Sequence, residues 1–275
     1  MGWLNLEGKV AIVTGGACGL GRAVCEGLAD VGTNIVVADV NEQGAQKVVA
    51  ELKEKFDGDY IAATTDVTDK ASIDAMIQTV LDVFGPPRRI DILVNNAGIN
   101  IPRLLVDPAG KEELTEDIWD KVVLVNQKGL FLCAQAAARV MIQSGKGGVI
   151  INMASESGME GSQGQSVYAA TKAAVYNLTR SWAKELGKHN VRVVGVAPGI
   201  LEATALRSDE YERALAYTRG ITVEELHRHY KEASIPLGRS GKLSEVAGTV
   251  CFLASERAGY IHGTVINVSG GKTRA

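Results

Sequence analysis

Near its start the chain reads Val10-Ala11-Ile12-Val13-Thr14-Gly15-Gly16-Ala17-Cys18-Gly19-Leu20-Gly21. Consecutive apolar residues followed by a glycine-rich turn are typical of a buried strand that runs into a helix. Glycine permits a tight turn, and the backbone N–H groups that open the following helix can bind phosphate oxygens. A glycine cluster alone could be an ordinary turn, but its flanking strand and helix favour a site for a dinucleotide pyrophosphate.

The rest of the chain repeats this alternation of strand and helix. Short β-branched runs are separated by longer stretches with helical periodicity, which predicts βαβ units and a parallel sheet. Several runs are apolar throughout, as expected for strands that are covered on both faces. We expect a Rossmann-type, doubly wound α/β fold with a seven-stranded parallel sheet and helices on both faces. The predicted strands are 10–14, 34–38, 60–65, 90–95, 149–154, 191–197 and 265–268, and the predicted helices are 20–31, 41–56, 70–84, 116–143, 167–188, 210–233 and 243–255.

The sequence shows no obvious domain boundary. It has no Pro- or Ser-rich linker and no internal repeat, so we expect one dinucleotide-binding and catalytic domain over residues 1–275. Only the segment 201–235 leaves the alternation, because it is charged, helical in pattern and follows Pro198-Gly199 at the end of a predicted strand. Ligands of open α/β sheets bind beyond the carboxyl ends of the strands. The segment is therefore interpreted as a helical lid on the substrate side, with a solvated surface helix as the alternative.

Composition excludes several classes of function. Hydrophobic residues make up 46% and charged residues 22% of the chain, which is an ordinary globular balance. The net charge of −3 predicts no nucleic-acid partner, and no apolar run reaches the roughly 20 residues that span a bilayer, so no membrane association is expected. The cysteines match no zinc or CxxC pattern, which predicts no metal site and a reducing, cytoplasmic setting. They are Cys18, Cys25, Cys133 and Cys251.

Asp39 ends the second predicted strand and indicates the choice of cofactor. It follows Gly21 by eighteen residues, close to the spacing at which dinucleotide-binding units carry an acidic residue. A carboxylate there can accept hydrogen bonds from the adenosine ribose and would repel a 2′-phosphate, which favours NAD over NADP. The alternative is a role at the start of the next helix, since Asp39 lies just before Asn41.

Ser155, Tyr168 and Lys172 are the candidate catalytic residues. Tyr168 and Lys172 are four residues apart and share one face of a predicted helix. A lysine cation, together with the charge of an oxidised nicotinamide, would favour the phenolate and lower the tyrosine pKa towards the range for proton exchange. Ser155 follows a predicted strand, where its hydroxyl could hold a substrate oxygen. Each pattern is common by chance, but together they predict hydride transfer between a nicotinamide and an alcohol or ketone.

These residues make the chain similar to the short-chain dehydrogenase/reductase family over nearly its whole length. The resemblance is carried by the glycine turn from Thr14 to Gly21, Asp66, Asn95-Asn96-Ala97-Gly98, Asn126, Ser155, Tyr168, Lys172 and Pro198-Gly199. It implies that Tyr168 is the general acid/base and that Lys172 lowers its pKa and binds the nicotinamide ribose. It further implies that Ser155 polarises the substrate and that Asn126 supports a water-linked proton path.

The same resemblance implies a set of cofactor contacts and an assembly. Asp66 and Val67 would contact the adenine, and Pro198 to Ile200 would lie beside the nicotinamide carboxamide. Thr204 stands one residue later than the usual family threonine, which leaves its pyrophosphate contact open. The family usually forms homotetramers, with helices such as 116–143 and 167–188 at one interface. The full set of implied cofactor residues is Gly15, Cys18, Gly19, Leu20, Gly21, Asp39, Asp66, Val67, Asn95, Ala97, Gly98, Tyr168, Lys172, Pro198, Gly199 and Ile200.

The segments 199–226 and 267–274 resemble those family members that act on sugar alcohol phosphates. The stretch 156–165 is polar and suits a polyol, and one or two cations of the lid could clamp a phosphate through forked donors. The alternative is a solvated helix face, because nearby glutamates balance the charge. The cations are Arg207, Arg213, Arg219, His227, Arg228, His229 and Lys231.

The expected reaction is thus NAD-linked oxidation of a secondary alcohol of a sugar alcohol phosphate, which yields a ketose phosphate. The alternatives within enzymes are another polyol dehydrogenase and a 3-oxoacyl-carrier reductase. A protein that senses NAD without turnover is the alternative from another class, since a fold alone does not imply activity.

Overall fold

The sheet contains seven parallel strands in the order β3-β2-β1-β4-β5-β6-β7. A computed structural model describes residues 2–85, 90–202, 208–232 and 235–273. The predicted Rossmann-type, doubly wound fold is confirmed, and each predicted strand is present within one or two residues of its expected ends. The strands are β1 Val10–Thr14, β2 Asn34–Asp39, β3 Tyr60–Thr64, β4 Ile92–Asn95, β5 Gly148–Met153, β6 Val191–Pro198 and β7 Val265–Val268.

Helices connect successive strands and cover both faces of the sheet. A one-turn π-helix, Leu124–Gly129, joins α4 to α5. The α-helices are α1 Gly19–Asp30, α2 Glu42–Lys55, α3 Lys70–Val83, α4 Glu116–Val123, α5 Leu130–Gln143, α6 Ser157–Glu160, α7 Ser166–Leu186, α8 Asp209–Arg219, α9 Val223–Glu232 and α10 Leu243–Ala254.

Two hydrophobic cores hold these layers together, one on each face of the sheet. Adjacent residues of a strand point to opposite faces, so Ile12 lies in one core and Val13 in the other. The Val13 core is completed by α1, α2 and α10, and the Ile12 core by α3, α5 and α7. Burial of each large aliphatic side chain contributes roughly 1.5–3 kcal/mol, which explains why continuous apolar runs specify these central strands.

The strand order reverses between β1 and β4, and this junction sets the position of a ligand crevice. The Thr14 hydroxyl at the end of β1 accepts hydrogen bonds from the backbone N–H groups of Asn96 and Ala97, each at 3.1 Å. The Asn96 side chain donates to the carbonyl oxygens of Thr14 and Gly15 at 3.0 and 3.1 Å. The carboxyl ends of β1 and β4 are therefore fixed to each other where the crevice opens.

Two helices that were predicted to be continuous are each divided in the structure. The predicted helix 116–143 is interrupted by the π-helix. Its backbone hydrogen bonds join residues five apart instead of four, which hydrophobic periodicity alone does not indicate. The predicted helix 210–233 is two helices, because Gly220 adopts a left-handed conformation with φ 66° and ends α8. The short helix α6 was not predicted, since four residues carry no periodic signal.

The helices α8 and α9 form a pair with a small core of its own, around Leu215 and Leu226. Polar bonds tie this α8–α9 pair to neighbouring loops. The Tyr217 hydroxyl donates to the Asp107 carboxylate at 3.0 Å, and the Gln163 side chain donates to the Thr218 carbonyl at 3.0 Å. The pair thus lies in the segment predicted as a lid and is attached chiefly through side chains.

Three of the four cysteines, Cys25, Cys133 and Cys251, are buried free thiols on helices, as expected for small apolar residues. Burial raises the pKa of the Cys133 and Cys251 thiols to about 12, which keeps them protonated. Within the described part of the chain, no helix is long and apolar enough to cross a bilayer.

Candidate active site

The glycine turn between β1 and α1 has the conformation that a phosphate cradle requires. Gly15 and Gly19 adopt φ values of 64° and 53°, which side-chain-bearing residues rarely take. A Cβ on Gly21 would lie only 2.0 Å from the Gly15 carbonyl oxygen, so only glycine allows the turn to close. The first turn of α1 contains no acidic residue, and Cys18 makes no side-chain capping bond. The N–H groups of this turn therefore suit a pyrophosphate, and the residues fit a dinucleotide.

Asp39 lies beside this cradle. One carboxylate oxygen accepts a hydrogen bond from the Ala17 N–H at 3.0 Å, and the other accepts from the Asn41 N–H at 2.9 Å. Both interpretations of Asp39 thus have a structural basis, since it contacts the turn and also orders the start of α2. Asn41, rather than Asp39, caps α2 by accepting from the Gly44 N–H.

Three further residues predicted to contact the cofactor, Asp66, Val67 and Asn95, differ in exposure and in the direction of their side chains. Asp66 is exposed at the end of β3, where one carboxylate oxygen accepts from the Thr68 hydroxyl at 2.7 Å. The Val67 side chain is buried against Gly129 of the π-helix, at a distance of 2.8 Å from the position of a Cβ there. Asn95 points into the sheet and donates to the Asn152 side chain at 3.0 Å. Its side chain orders the strand ends rather than lining the crevice.

Tyr168 and Lys172 lie on one face of α7, as their spacing predicts. The Lys172 ammonium is 5.6 Å from the centre of the Tyr168 ring and donates a hydrogen bond to the Met153 carbonyl at 2.7 Å. Burial lowers the pKa of Lys172 to about 8, so the side chain still carries its proton at neutral pH. Lys172 therefore holds a buried positive charge next to the phenol.

The Tyr168 pKa is raised, whereas the sequence predicted that it would be lowered. Burial raises it, a hydrogen bond with the Ser155 hydroxyl opposes the rise, and the nearby charge of Glu156 adds to it. The chain alone therefore favours the neutral phenol. A lowered pKa would need further positive charge near the hydroxyl, such as that of an oxidised nicotinamide.

Ser155 lies in the short connection between β5 and α6. Its hydroxyl oxygen is 3.0 Å from the Ser157 hydroxyl and 3.3 Å from the Ser157 N–H. The Tyr176 hydroxyl donates to the Ser155 carbonyl at 3.3 Å. Contacts from α6 and α7 therefore fix a hydroxyl beside the Tyr168 phenol.

Asn126 lies in the π-helix and is almost fully buried. Its side chain accepts from the Ile99 N–H at 2.8 Å and donates to the Ile99 carbonyl at 2.9 Å. It also donates to the Thr171 hydroxyl at 3.2 Å, one residue before Lys172. A Cβ on Gly98 would lie 3.3 Å from the Asn126 oxygen and 3.7 Å from the Lys172 ammonium, so the predicted residues meet closely here.

Two cavities meet at Ser155 and Tyr168. The inner cavity has a volume of about 510 Å³, extends towards the glycine turn and includes Leu20, Asn96, Gly98, Lys172, Pro198 and Gly199 in its walls. The outer cavity has a volume of about 360 Å³, extends under the α8–α9 pair and includes Glu156, Ser162, Gln165, Ile200, Arg219, His229 and Lys272. The predicted catalytic hydroxyls therefore stand on the wall that the two cavities share.

Tyr211 and Lys272 line the outer cavity but were not predicted as site residues from the sequence. Tyr211 of α8 accepts from the Gln165 side chain at 2.7 Å and lines both cavities. Lys272 forms an ion pair with Glu156 at 2.7 Å, and the Thr273 hydroxyl donates to the same carboxylate at 3.1 Å. Only the similarity of the segment 267–274 to sugar alcohol phosphate enzymes pointed to this part of the chain. Thr204, Arg207 and the side chain of Lys231 lie outside the described residues.

Comparisons with known proteins agree with this geometry. A family model described as short chain dehydrogenase matches residues 9–214, and the chain belongs to the short-chain dehydrogenase/reductase family. It is therefore an oxidoreductase with a small-molecule substrate. Proteins with this fold bind nicotinamide dinucleotides at the glycine turn.

Three relatives show the range of the family around this chain. Sorbitol-6-phosphate 2-dehydrogenase from Klebsiella pneumoniae is 51% identical, covering 99% of this chain and 98% of that protein. Sorbitol dehydrogenase from Cereibacter sphaeroides is 38% identical, covering 98% of each chain. The crystal structure of 3-ketoacyl-(acyl-carrier-protein) reductase from Brucella melitensis, complexed with NADH, matches with a TM-score of 0.80 at 31% identity, covering 98% of this chain and 100% of that one.

Proposed function

We propose that this protein is an NAD-dependent dehydrogenase of a sugar alcohol phosphate, with sorbitol 6-phosphate and its product fructose 6-phosphate as the preferred pair. The proposal depends most on one observation: Ser155 and Tyr168 stand on the wall shared by the inner and outer cavities. An alcohol in the outer cavity would meet both hydroxyls while its carbinol carbon faces the inner cavity.

The roles of the chain's residues follow from their positions. The bound nicotinamide would accept the hydride of the carbinol carbon. The Ser155 hydroxyl would hold the substrate oxygen, and Tyr168 would take its proton as the carbonyl forms. Lys172, positively charged at neutral pH, would favour the phenolate and bind the nicotinamide ribose. Asn126 would position the loop at Ile99 and the Thr171 turn of α7 through its three hydrogen bonds.

The glycine turn and Asp39 support the choice of NAD. Gly15, Gly19 and Gly21 would hold the pyrophosphate at the start of α1. The Asp39 carboxylate is oriented by the Ala17 and Asn41 N–H groups, next to the cradle where the adenosine ribose would lie. A 2′-phosphate there would meet a like charge, so NADP should bind more weakly than NAD.

The outer cavity supports a polar substrate. Its walls carry Ser162, Gln165 and Tyr211, which offer hydroxyl and amide groups to a polyol. An acyl chain could form no hydrogen bonds with these groups, whereas the hydroxyls of a polyol could, which disfavours the reductase alternative. The similarity to the sorbitol-6-phosphate 2-dehydrogenase over nearly the whole chain points to the phosphorylated polyol.

We also propose a cytoplasmic homotetramer. Trp119, Leu124 and Phe131, on the α4–α5 surface, are between 37% and 45% exposed and offer apolar area for an interface. The buried free thiols suit a reducing compartment. Light scattering of the purified protein should give the mass of four chains, and a monomer would contradict the assembly.

Steady-state kinetics test the activity directly. Sorbitol 6-phosphate, free sorbitol and an acetoacetyl thioester should each be assayed with NAD or NADP, in the oxidative or reductive direction as appropriate. We expect the highest kcat/KM for the phosphorylated polyol with NAD. A preference for the thioester would support the reductase alternative, and NAD binding without turnover of any substrate would support the sensing alternative.

Asp39→Ser tests the cofactor assignment separately. We expect the ratio of kcat/KM values for NAD and NADP to fall by about tenfold, which corresponds to loss of one modest electrostatic preference. An unchanged ratio would leave Asp39 with its structural role at α2 alone.

A further inference from the structure

We infer that Arg219, supported by the Ser162 hydroxyl and His229, forms the subsite for the phosphate group of the substrate in the outer cavity. This inference rests on the proposed function and assigns a part of the molecule to the end of the substrate that does not react. Among the cations of the α8–α9 pair, it selects Arg219 by position and by charge balance.

Most of the candidate cations are excluded by their surroundings. His227 lies 2.6 Å from the Glu212 carboxylate, and Arg228 is 3.6 Å from Glu225 on the same helix. Arg213 is exposed on α8 and does not line either cavity. His227 and Arg228 are thus balanced by glutamates, as the alternative of a solvated helix face predicts, and Arg213 lies outside both cavities.

Lys272 lines the outer cavity, but its charge is already neutralised. It pairs with Glu156 at 2.7 Å and Glu160 at 3.4 Å, and the hydrogen bonds to both raise its pKa even though burial opposes the rise. A phosphate approaching Lys272 would therefore meet two carboxylates. Lys272 is better suited to holding Glu156 beside Ser155 than to binding an anion.

Arg219 differs from all of these. It occupies the last turn of α8 and is half-buried, with one guanidinium nitrogen 3.5 Å from the Ser162 hydroxyl. Within the ranges that the structure describes, no carboxylate lies at ion-pair distance from it. The forked guanidinium offers the paired donors that a phosphate monoester accepts. The Ser162 hydroxyl donates to the Gln165 side-chain oxygen at 2.6 Å, so it supports Arg219 as a hydrogen-bond acceptor.

His229 adds a second donor side chain, from α9. It lines the same cavity as Arg219, so the two helices of the pair contribute to one wall. A phosphate bound there would connect α8 to α9 and to the Ser162 loop. Gln165 and Tyr211, hydrogen-bonded to each other, line the same cavity together with Tyr168 and offer partners for the hydroxyls of the polyol.

The position of Arg219 also explains how the substrate could be oriented. The cavity that contains Arg219 contains Ser155 and Tyr168 as well. Anchoring the phosphate at Arg219 would therefore restrict which carbinol carbon meets the catalytic hydroxyls. A free polyol lacks this anchor and should bind both more weakly and in more than one register.

The test is a comparison of Arg219→Met with the matched control Arg213→Met on the same helix. Arg219→Met should lower kcat/KM for sorbitol 6-phosphate by about 10- to 100-fold, the loss expected for a charge-assisted contact, and leave the value for free sorbitol within about twofold. Arg219→Lys should restore part of the loss, and Arg213→Met should change neither value. Inorganic phosphate should inhibit the wild type competitively with the substrate, and inhibit Arg219→Met much less.

Two further measurements distinguish the possible failures. Calorimetric titration of sorbitol 6-phosphate into Tyr168→Phe, with and without Arg219→Met, measures binding independently of turnover. If wild-type enzyme shows no preference for the phosphorylated polyol, the proposed function and the subsite are both wrong. If wild type shows the preference and Arg219→Met retains it, only the assignment of Arg219 is overturned. Lys272→Gln should impair both substrates alike, and a loss confined to the phosphorylated one would move the subsite to Lys272.

Discussion

The parallel sheet and the α8–α9 pair are held in place by different kinds of interaction. Buried aliphatic side chains on both faces and continuous backbone ladders hold the sheet. The α8–α9 pair has only a small core around Leu215 and Leu226, and polar contacts such as Tyr217–Asp107 attach it to loops. Each such contact contributes about 1 kcal/mol, so the pair should open at a lower free energy than the sheet.

This difference separates two tasks. The candidate catalytic residues lie on α7 (Tyr168 and Lys172) and in the segment between β5 and α7 (Ser155), and these elements pack on the sheet. The side chains proposed to recognise the substrate belong largely to the α8–α9 pair and to loops. Selectivity can therefore change through the pair without disturbing the reacting groups.

Paired tyrosine substitutions test this separation with the largest expected effect. Tyr168→Phe should lower kcat by about 100- to 10,000-fold, because it removes the proton-exchanging hydroxyl. Tyr211→Phe removes the hydroxyl that contacts Gln165, and should chiefly raise KM for the polyol phosphate. Steady-state kinetics on both variants give the answer. Unimpaired kcat in Tyr168→Phe would overturn the chemistry, and a similar loss in both would mean that the pair takes part in it.

Alanine substitutions at two buried aliphatic residues test whether the sheet and the α8–α9 pair differ in stability. Ile150 of β5 and Leu226 of α9 are both fully buried. Ile150→Ala should lower the global free energy of unfolding by about 2–5 kcal/mol. Leu226→Ala should change it by less than about 1 kcal/mol and instead increase amide exchange in α8 and α9, because the pair can open locally. Equal losses in chemical denaturation would show that the pair and the sheet unfold as one unit.

Lys172 gives the sheet region a pH dependence. Its pKa is lowered from 10.5 to about 8 by burial, so the unfolded chain binds more protons between these values. Stability conferred by this residue should therefore rise with pH from about 8 to 10.5 and stay flat below about 7. The unfolding free energy of wild type minus that of Lys172→Met should increase by up to about 3 kcal/mol over this range. A flat difference would mean that Lys172 titrates normally in the folded protein.

A substitution at the N-terminus of a helix should have the smallest effect on stability. Ser208 caps α8 by accepting from the Tyr211 N–H at 3.2 Å, whereas Cys18 precedes α1 without a side-chain capping bond. Cys18→Ser should raise the free energy of unfolding by about 0.5–1 kcal/mol, measured by denaturation without cofactor. A decrease would indicate that the thiol packs better than its half-buried position suggests.

Periodicity and apolar runs were sufficient to predict all seven strands and the seven principal helical segments. They succeed because central strands and the helices that cover them are specified by burial, which leaves a regular pattern in the sequence. The positions of the glycine turn, Asp39 and the Ser155–Tyr168–Lys172 set relative to these elements could be read from the sequence, since each follows a well-defined strand or lies on a long helix; their roles stay predictions.

The rest of the site depends on contacts between distant parts of the chain. Nothing local indicates that Lys272 meets Glu156, or that the Asn95 side chain turns inward to Asn152 rather than towards the crevice. The π-helix around Asn126 and the break at Gly220 are local departures from a regular helix that the hydrophobic periodicity does not indicate. The pKa of Tyr168 follows from burial and not from its spacing to Lys172, so the spacing argument could not give its direction.

Through their contacts with Glu156, Lys272 and Thr273 make the segment that follows β7 a part of the outer cavity. Loss of the Lys272 side chain would release Glu156 from its fixed position next to Ser155, and so would disturb the site for phosphorylated and free polyols alike. Gly2 and Trp3 line neither cavity, so an affinity tag for purification is better placed on their side of the chain than next to Lys272.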